Sequence, residues 1–235
     1  RGSASPPGLA RHVPRRNPPR KGCFFCERHF AMYFPEGSKF FFSSTFAAGK
    51  NVTAITNANP ARATATAHGY NTGDEVLFTS GWEDATDNVF RVTTVDAATL
   101  DITGLNSSNT DFFPSGTGTG SLKLVSAWQE IPGILSVSTN GGDPRFTTVS
   151  PLAKRNDIQV PTGFNAMSMT LDMIHDPANA VYQQMLDLGR ALKPVALKVQ
   201  AAGGMRGYGY GYINAGEMPQ LARNEVNKVQ AAITF

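Results

Sequence analysis

The segment NAMSMTLDMIHDPANAVYQQMLDL, residues 165–188, decides the fold, because a strand in it runs directly into a helix. Residues 165–174 alternate between apolar and small or polar side chains, which is typical of a half-buried strand. We assign one face to the core, although methionine stripes also occur on promiscuous binding surfaces: Met167, Met169, Leu171 and Met173. The opposite face consists of Ala166, Ser168, Thr170 and Asp172.

The sequence predicts both the boundaries and the buried face of the helix that follows. Asp176 is predicted to cap it and Pro177 to occupy its first turn, while Gly189 is predicted to end it in a left-handed conformation. Its apolar stripe consists of Val181, Tyr182, Met185, Leu186 and Leu188. This stripe predicts a helix that packs on a sheet.

Two later strands follow, over residues 194–200 and 207–213. In the second, tyrosines alternate with glycines, so one face is aromatic and the other is bare. A bare glycine face lets another backbone approach closely. The tyrosine face suits a protein interface. The alternative is sugar binding or base stacking, but Arg206 is the only basic residue close to this strand, which is little positive charge for binding nucleic acid.

The last strand is predicted over residues 224–235. Because it and residues 165–174 carry few charges, we expect both to be sheet edges that pair with neighbouring subunits. The candidate subunit-interface residues are Tyr208, Tyr210, Tyr212, Ala166, Ser168, Thr170, Asp172, Val229, Ala231, Ile233 and Phe235.

Residues 50–125 form a different kind of region. Short strand-like runs alternate with turns over 61–67, 75–79, 89–95, 99–103 and 121–125, which predicts a small all-β domain. Residues 63–122 hold eight carboxylates against Arg91 alone, so this surface repels nucleic acid. The glycine-rich run 116–120 is expected to be a flexible return linker, and it lacks the Lys-Ser/Thr of a phosphate loop.

Residues 1–31 are basic and rich in proline, with seven Lys and Arg against Glu27. We expect a dispensable leader, either disordered or translated from sequence upstream of a natural start at Met32. An arm that binds nucleic acid is the alternative. Cys23, Cys26 and His29 make too few ligands for zinc, so we predict no metal site, and no cofactor.

An enzyme is not predicted, because the chain lacks the motifs of nucleophilic, metal-dependent or phosphate-binding sites. The four histidines are scattered, and His68 is expected to be a turn residue that packs its ring. No apolar run approaches the roughly 20 residues of a membrane span. The lack of these motifs therefore favours a structural or binding protein over an enzyme.

Three pieces of the acidic region carry a resemblance to a known module: residues 67–70 (AHGY), 73–76 (GDEV) and 90–96 (FRVTTVD). They resemble the small β domain, called FCCH, of ubiquitin-activating enzymes, which is common as an insert in phage tail proteins. The activity of those enzymes does not transfer, because the module is not their catalytic part.

The order of elements around this insert resembles that of the tail tube proteins of long-tailed bacteriophages. The resemblance is carried by residues 32–46, by residues 165–188 and by the strands after Pro194. It implies a mainly β fold, a two-layer β-sandwich or barrel with one flanking α-helix, plus an inserted small all-β domain. The body would then comprise residues 32–49 and 126–235, with the insert at 50–125.

The same resemblance implies function and partners. Such proteins form stacked, hexameric rings around a channel for DNA, which passes without specific binding, and they have no catalytic residues. Expected partners are the chain itself, the tape measure protein and the tail terminator, and the expected location is the virion tail, or the host cytoplasm during assembly. The alternative is a tail or baseplate adhesion module that binds host-surface carbohydrate.

Overall fold

The computed structural model describes residues 36–153 and 155–235, and within them strands dominate and one α-helix is present, as predicted. The strands are β1 (Lys39–Ser43), β2 (Thr45–Phe46), β3 (Lys50–Val52), β4 (Ala54–Ile55), β5 (Ala61–Thr64), β6 (Glu75–Ser80), β7 (Asn88–Thr94), β8 (Thr99–Thr103), β9 (Gly120–Ser126), β10 (Gln129–Glu130), β11 (Ile134–Asn140), β12 (Pro144–Val149), β13 (Ile158–Phe164), β14 (Ser168–Ile174), β15 (Pro194–Gln200), β16 (Arg206–Ala215) and β17 (Lys228–Thr234). The helix is α1 (Ala180–Arg190).

The body is a seven-stranded antiparallel sheet in the order β10-β1-β15-β16-β17-β14-β11. Its two ends face each other across the core, because Phe40 of β1 lines one groove with Ile134 and Val137 of β11 and shares a buried cluster with Leu171 of β14. The sheet therefore forms two layers, with β10, β1, β15 and β16 in one and β17, β14 and β11 in the other. This arrangement is consistent with the predicted β-sandwich.

Helix α1 packs against this core through the predicted stripe. Tyr182, Met185, Leu186 and Leu188 are buried with Leu171 and Met173. The Tyr182 hydroxyl donates a hydrogen bond to the carbonyl of Gly216 at 2.6 Å, which ties the helix to the end of β16. Each large side chain buried here contributes about 1.5–3 kcal/mol, so the stripe holds the helix in place.

Both predicted helix ends are wrong by a few residues. Asn179 is the N-cap, since its Oδ1 accepts from the amide of Val181 at 2.9 Å, while Asp176 caps only the preceding turn through the amide of Ala178. Gly189 lies inside the helix rather than after it. A Cβ there would come within 3.0 Å of Asn214 Oδ1, so close packing on β16 explains this glycine.

The methionine stripe belongs to the core with one exception. Leu171 and Met173 are buried and Met169 packs against them, as predicted. Met167 is exposed, because β14 begins only at Ser168.

The second sheet has eight strands in the order β2-β9-β6-β7-β8-β5-β4, with β3 also pairing with β9. All five predicted strands of the acidic region are present as β5 to β9. Its core includes Trp82 and Phe78, which are almost completely buried. His68 is buried as expected, with its ring accepting from the amide of Tyr70 at 3.0 Å and stacking on the Tyr70 ring.

The prediction of a flexible linker at residues 116–120 is wrong. A Cβ on Gly118 would overlap the Trp82 ring, and a Cβ on Gly120 would overlap the carbonyl of Thr79. The Ser80 hydroxyl also donates to the carbonyl of Gly118 at 3.0 Å. Glycine is needed at both positions because the backbone lies directly on the Trp82 ring at Gly118 and on the neighbouring strand β6 at Gly120.

Candidate functional site

The hairpin β12–β13 is the most exposed regular structure of the described chain. Its strands pair with each other and with no other described strand. Phe146, Val149, Val160 and Phe164 are between 44% and 74% exposed. An isolated two-stranded hairpin is marginally stable in water. We therefore expect another molecule to cover these apolar side chains and stabilise the hairpin.

Beside the hairpin lies an unpaired sheet edge. Strand β11 precedes β12 and bonds to β14 on one side only, so its other edge is free among the described residues. It carries no charge and no proline, the features that usually protect an edge. Such an edge is able to accept another strand.

An apolar groove of about 450 Å³ runs along this edge. Its walls come from both layers of the sandwich, with Phe40 and Val199 on one side and Ile134, Leu135 and Val137 on the other. Leu135 and Val137 are substantially exposed. The core is therefore open to solvent at the seam between β1 and β11.

The outer face of the second layer is polar and nearly neutral. Cross-strand register places one exposed apolar residue, Ile174, on it, and otherwise these small or polar residues: Ser136, Ser138, Asn140, Ser168, Thr170, Asp172, Lys228, Gln230, Ala232 and Thr234. Ser136 Oγ donates to one Asp172 oxygen at 2.6 Å and Gln230 Nε2 to the other at 3.0 Å. These two hydrogen bonds lower the pKa of Asp172.

The two sheets meet at a buried carboxylate, Glu75 of β6, which is 8% exposed. Lys198 Nζ lies 2.9 Å from its Oε2 and the Tyr208 hydroxyl donates to its Oε1 at 2.8 Å. Arg206 Nη1 lies 3.6 Å from the same Oε1. The three partners come from β15 and β16, so one acidic side chain of the second sheet joins two strands of the body.

Aromatic rings enclose the ammonium of Lys198. Its Nζ lies 4.3 Å from the centre of the Trp128 ring and 5.1 Å from that of Phe41. Burial and the hydrogen bond to Glu75 raise the pKa of Tyr208 to about 12. Tyr208 therefore keeps its proton at neutral pH and donates it to Glu75, while the Lys198 ammonium pairs with the same carboxylate beside two aromatic rings.

Neither a metal centre nor a membrane helix is found in residues 36–153 and 155–235. This part of the chain holds no group of three His, Cys, Asp or Glu side chains placed to bind a metal ion. Its helix is too short to cross a bilayer. Cys23, Cys26 and His29 lie outside the described residues, as does the whole of 1–31.

Comparison with protein families gives a match over most of the described chain. The family model described as phage tail tube protein, TTP, matches residues 80–235. The chain belongs to the phage tail tube protein family. No curated protein matches it.

Membership in the tail tube family carries a structural role in the tail tube of a phage virion. It implies assembly with further copies of the chain and with other tail proteins. Carbohydrate adhesion gains no support from the comparison.

The structure places the predicted tyrosine face mainly inside the chain. Tyr208 and Tyr210 pack with Leu77 and Val89 of the second sheet, and Tyr210 lies edge-to-face against Phe46 at 6.0 Å. Tyr212 is exposed. The bare glycine face allows another backbone to approach closely, as predicted, but that backbone belongs to the same chain. A Cβ on Gly211 would overlap the carbonyl of Thr234 in β17.

The prediction that residues 165–174 and 224–235 form sheet edges is wrong. Strands β14 and β17 are interior, and the edges of the sheet are β10 and β11. Val229, Ala231 and Ile233 are buried in the chain's own core, and Phe235 packs beside them. Ser168, Thr170 and Asp172 lie on the outer polar face, and Ala166 is exposed just before β14. Subunit contacts by any of these residues stay a prediction.

The second strand of the hairpin has a weak local signal in the sequence. Residues 158–160 alternate like a strand, although Pro161 and Gly163 directly after them are both unfavourable inside a strand. Both residues are tolerated because β13 is an edge strand, and the ladder shifts register between Arg145 and Phe146. The groove and the Glu75 contact had no local signal, because their residues are far apart in sequence.

Proposed function

We propose that copies of this chain assemble into rings, hexameric as the family resemblance implies, which stack into the tail tube through which DNA passes into the host. The role is structural and not enzymatic. The observation that carries the proposal is the exposed apolar hairpin β12–β13 beside an unpaired, uncharged edge.

The hairpin supplies one half of the subunit contact. Burying a valine or phenylalanine removes apolar surface from water and contributes about 1.5–3 kcal/mol per side chain. Four side chains of the hairpin receive only part of this stabilisation within their own chain, because they stay largely exposed: Phe146, Val149, Val160 and Phe164. A neighbouring subunit that covers them stabilises both the hairpin and the ring.

The groove between β1 and β11 supplies the other half. It is apolar and open, and it lies on the same molecule as the hairpin without being filled by it. A contact between two different surfaces of one chain is heterologous, and it closes into a ring when the rotation per subunit divides a full turn. We infer that the hairpin of one subunit enters the groove of the next.

The outer face of β17, β14 and β11 suits the lining of a DNA channel. Asp172 and Lys228 are its only charged residues by register, so their charges cancel. A lining rich in lysine or arginine would bind phosphates and slow passage. The hydroxyl and amide side chains here allow DNA to pass without specific binding.

The remaining regions have secondary roles in this proposal. The acidic region 50–125 is an inserted FCCH-like β domain that decorates the tube, and residues 1–31 are dispensable. The body, residues 32–49 and 126–235, contacts the tape measure protein and the tail terminator. Assembly takes place in the host cytoplasm.

The test is negative-stain electron microscopy of the purified chain at rising concentration, with and without residues 1–31. Both forms are expected to give rings or hollow tubes. Val160→Asp on the hairpin is expected to leave a folded monomer by sedimentation velocity. Val95→Asp is the matched control, because Val95 is as exposed as Val160 but lies in the acidic region, and this variant should assemble normally.

A cysteine pair tests the hairpin–groove contact directly. The chain without residues 1–31 lacks both natural cysteines, so Val137→Cys combined with Val160→Cys introduces the only pair. Mild oxidation is expected to link copies into a ladder on a denaturing gel. Dispersed monomers of the unmodified chain at all concentrations would overturn ring assembly, whereas tubes without a ladder would overturn only this contact.

A further inference from the structure

An open cleft of about 480 Å³ lies where the second sheet meets the body. Phe90 and Arg91 of β7 and Thr103 at the end of β8 form one wall, and Arg206 and Tyr208 of β16 form the other. Gly104 and Gly204 complete it, and a Cβ on either would meet no atom within 4 Å. The volume falls in the range of small-molecule sites.

The cleft concentrates positive charge in an otherwise acidic region. Arg91 is the only basic residue within residues 63–122, and it lies opposite Glu75 in the β6–β7 ladder. Arg206 and Lys198 approach the same carboxylate from the body. Lys198 and Arg206 thus pair with this carboxylate and Arg91 is its neighbour in the ladder, so the three positive charges exceed the one negative charge by two.

Both guanidinium groups keep most of their donors free. Among the described residues, the hydrogen bond of the Arg91 side chain is the 3.4 Å contact from Nε to the carbonyl of Gly73. Arg206 reaches Glu75 at 3.6 Å, which is beyond hydrogen-bond distance, and both Glu75 oxygens already accept from Lys198 and Tyr208. Each arginine is therefore able to bind an anion through two parallel N–H groups.

We propose that this cleft binds an acidic sugar, with a carboxylate or phosphate held between Arg91 and Arg206. The ring of Tyr208 offers apolar surface for the sugar ring, and the glycine backbones leave space for it. The site does not depend on ring assembly, because every residue that forms it belongs to one chain.

Saturation-transfer-difference NMR on the full chain tests this proposal, since the method works on monomers and on large assemblies. The probes are glucuronate, glucose 1-phosphate and neutral glucose, at equal ionic strength. Glucuronate or glucose 1-phosphate is expected to receive saturation, and the one that does identifies the anion. Glucose is expected to give at least a tenfold weaker signal, and added salt is expected to weaken binding.

Variants separate the cleft from general charge attraction. Arg91→Ala and Arg206→Ala should each weaken binding at least tenfold, and Thr103→Trp should block the cleft with both arginines present. Arg223→Ala, at an exposed arginine outside the cleft, should bind as the unmodified chain does. Equal signals from glucose and the acidic sugars, or undiminished binding by Thr103→Trp, would overturn the proposal.

Discussion

The acidic region and the hairpin differ in how much of their apolar surface each buries within the chain. Between β3 and β9, Trp82, Phe78, Leu100 and Ile102 are at most 1% exposed. Along β12 and β13, Phe146 and Phe164 lie mostly in solvent. The first region is complete within one chain, whereas the second has surface that only another molecule is able to cover. We therefore expect the apolar residues of the first region to serve stability and those of the second to serve the proposed assembly.

The largest expected effect comes from breaking the complete region. Trp82→Ala should lower the free energy of unfolding by about 3–5 kcal/mol, because it empties a buried site on which Gly118 rests. Phe146→Ala should change the stability of the monomer by less than about 0.5 kcal/mol, because its side chain is exposed. Urea unfolding of dilute, unassembled protein measures both. Equal losses of unfolding free energy in the two variants would contradict the distinction between a self-contained acidic region and a hairpin that needs a partner.

The contact between the two sheets should be the next most sensitive. Glu75→Gln leaves the ammonium of Lys198 partly buried without its carboxylate, so we expect a loss of about 3 kcal/mol. Glu130→Gln is the matched control, because Glu130 pairs with Lys39 on the surface and should contribute less than about 1 kcal/mol. The same unfolding experiment compares them, and a ratio near one would show that the Glu75 contact adds nothing beyond a surface pair.

A third pair of variants tests close packing on the bare face of β16. Gly209→Ala places a methyl group against the Phe235 ring, which must move, and we expect a loss of about 1–3 kcal/mol. Gly207→Ala is the control, since its nearest neighbour is an ordinary contact with Val199. Thermal unfolding should separate the two, and indistinguishable midpoints would mean that Phe235 does not need the bare surface.

The smallest effect concerns the polar face. The pKa of Asp172 is lowered by its hydrogen bonds from Ser136 and Gln230, so the ionised form stabilises the folded chain. This contribution is present above the unfolded pKa and is lost as the pH falls through the folded pKa. Asp172→Asn should therefore cost less than about 1 kcal/mol at pH 7 and still less in acid.

Unfolding free energies at neutral and acidic pH provide the measurement for Asp172. Asp143→Asn is the control, as this carboxylate is also exposed and lies in the turn before β12. A pH dependence of the same size for both variants would remove any special role for the Asp172 hydrogen bonds.

Local patterns predicted local structure well. The alternation in β14 and the stripe on α1 depend on neighbouring residues, and both form the core as expected. The helix start was missed because Asp176 and Asn179 are both good caps, and which one is used depends on the turn between them. Met167 was misplaced for a similar reason, since alternation continues one step beyond the end of the strand.

Features set by distant pairing could not be read in the same way. Strand order decides that β14 and β17 are interior, and it depends on contacts across the whole chain. The Glu75 partners Lys198 and Tyr208 lie 123 and 133 positions away in sequence. Low charge on a strand is compatible with an edge or with an interior position, so the sequence alone left the edges of the sheet undetermined.

The pairing at the base of the acidic region has a consequence for the folding path. The Ser43 hydroxyl donates to the carbonyl of Ser126, 83 positions later, and Phe42 lies beside Gln129 in the ladder of β1 and β10. Once the intervening sheet forms, β1 is already next to β10, and the long loop between them acts as a tight turn. Closing a loop costs only about 0.6 kcal/mol more for each doubling of its length, and prior folding of the segment reduces even that entropy. The body is thus able to carry a whole extra sheet at one point in its topology with little change in how its own strands find one another.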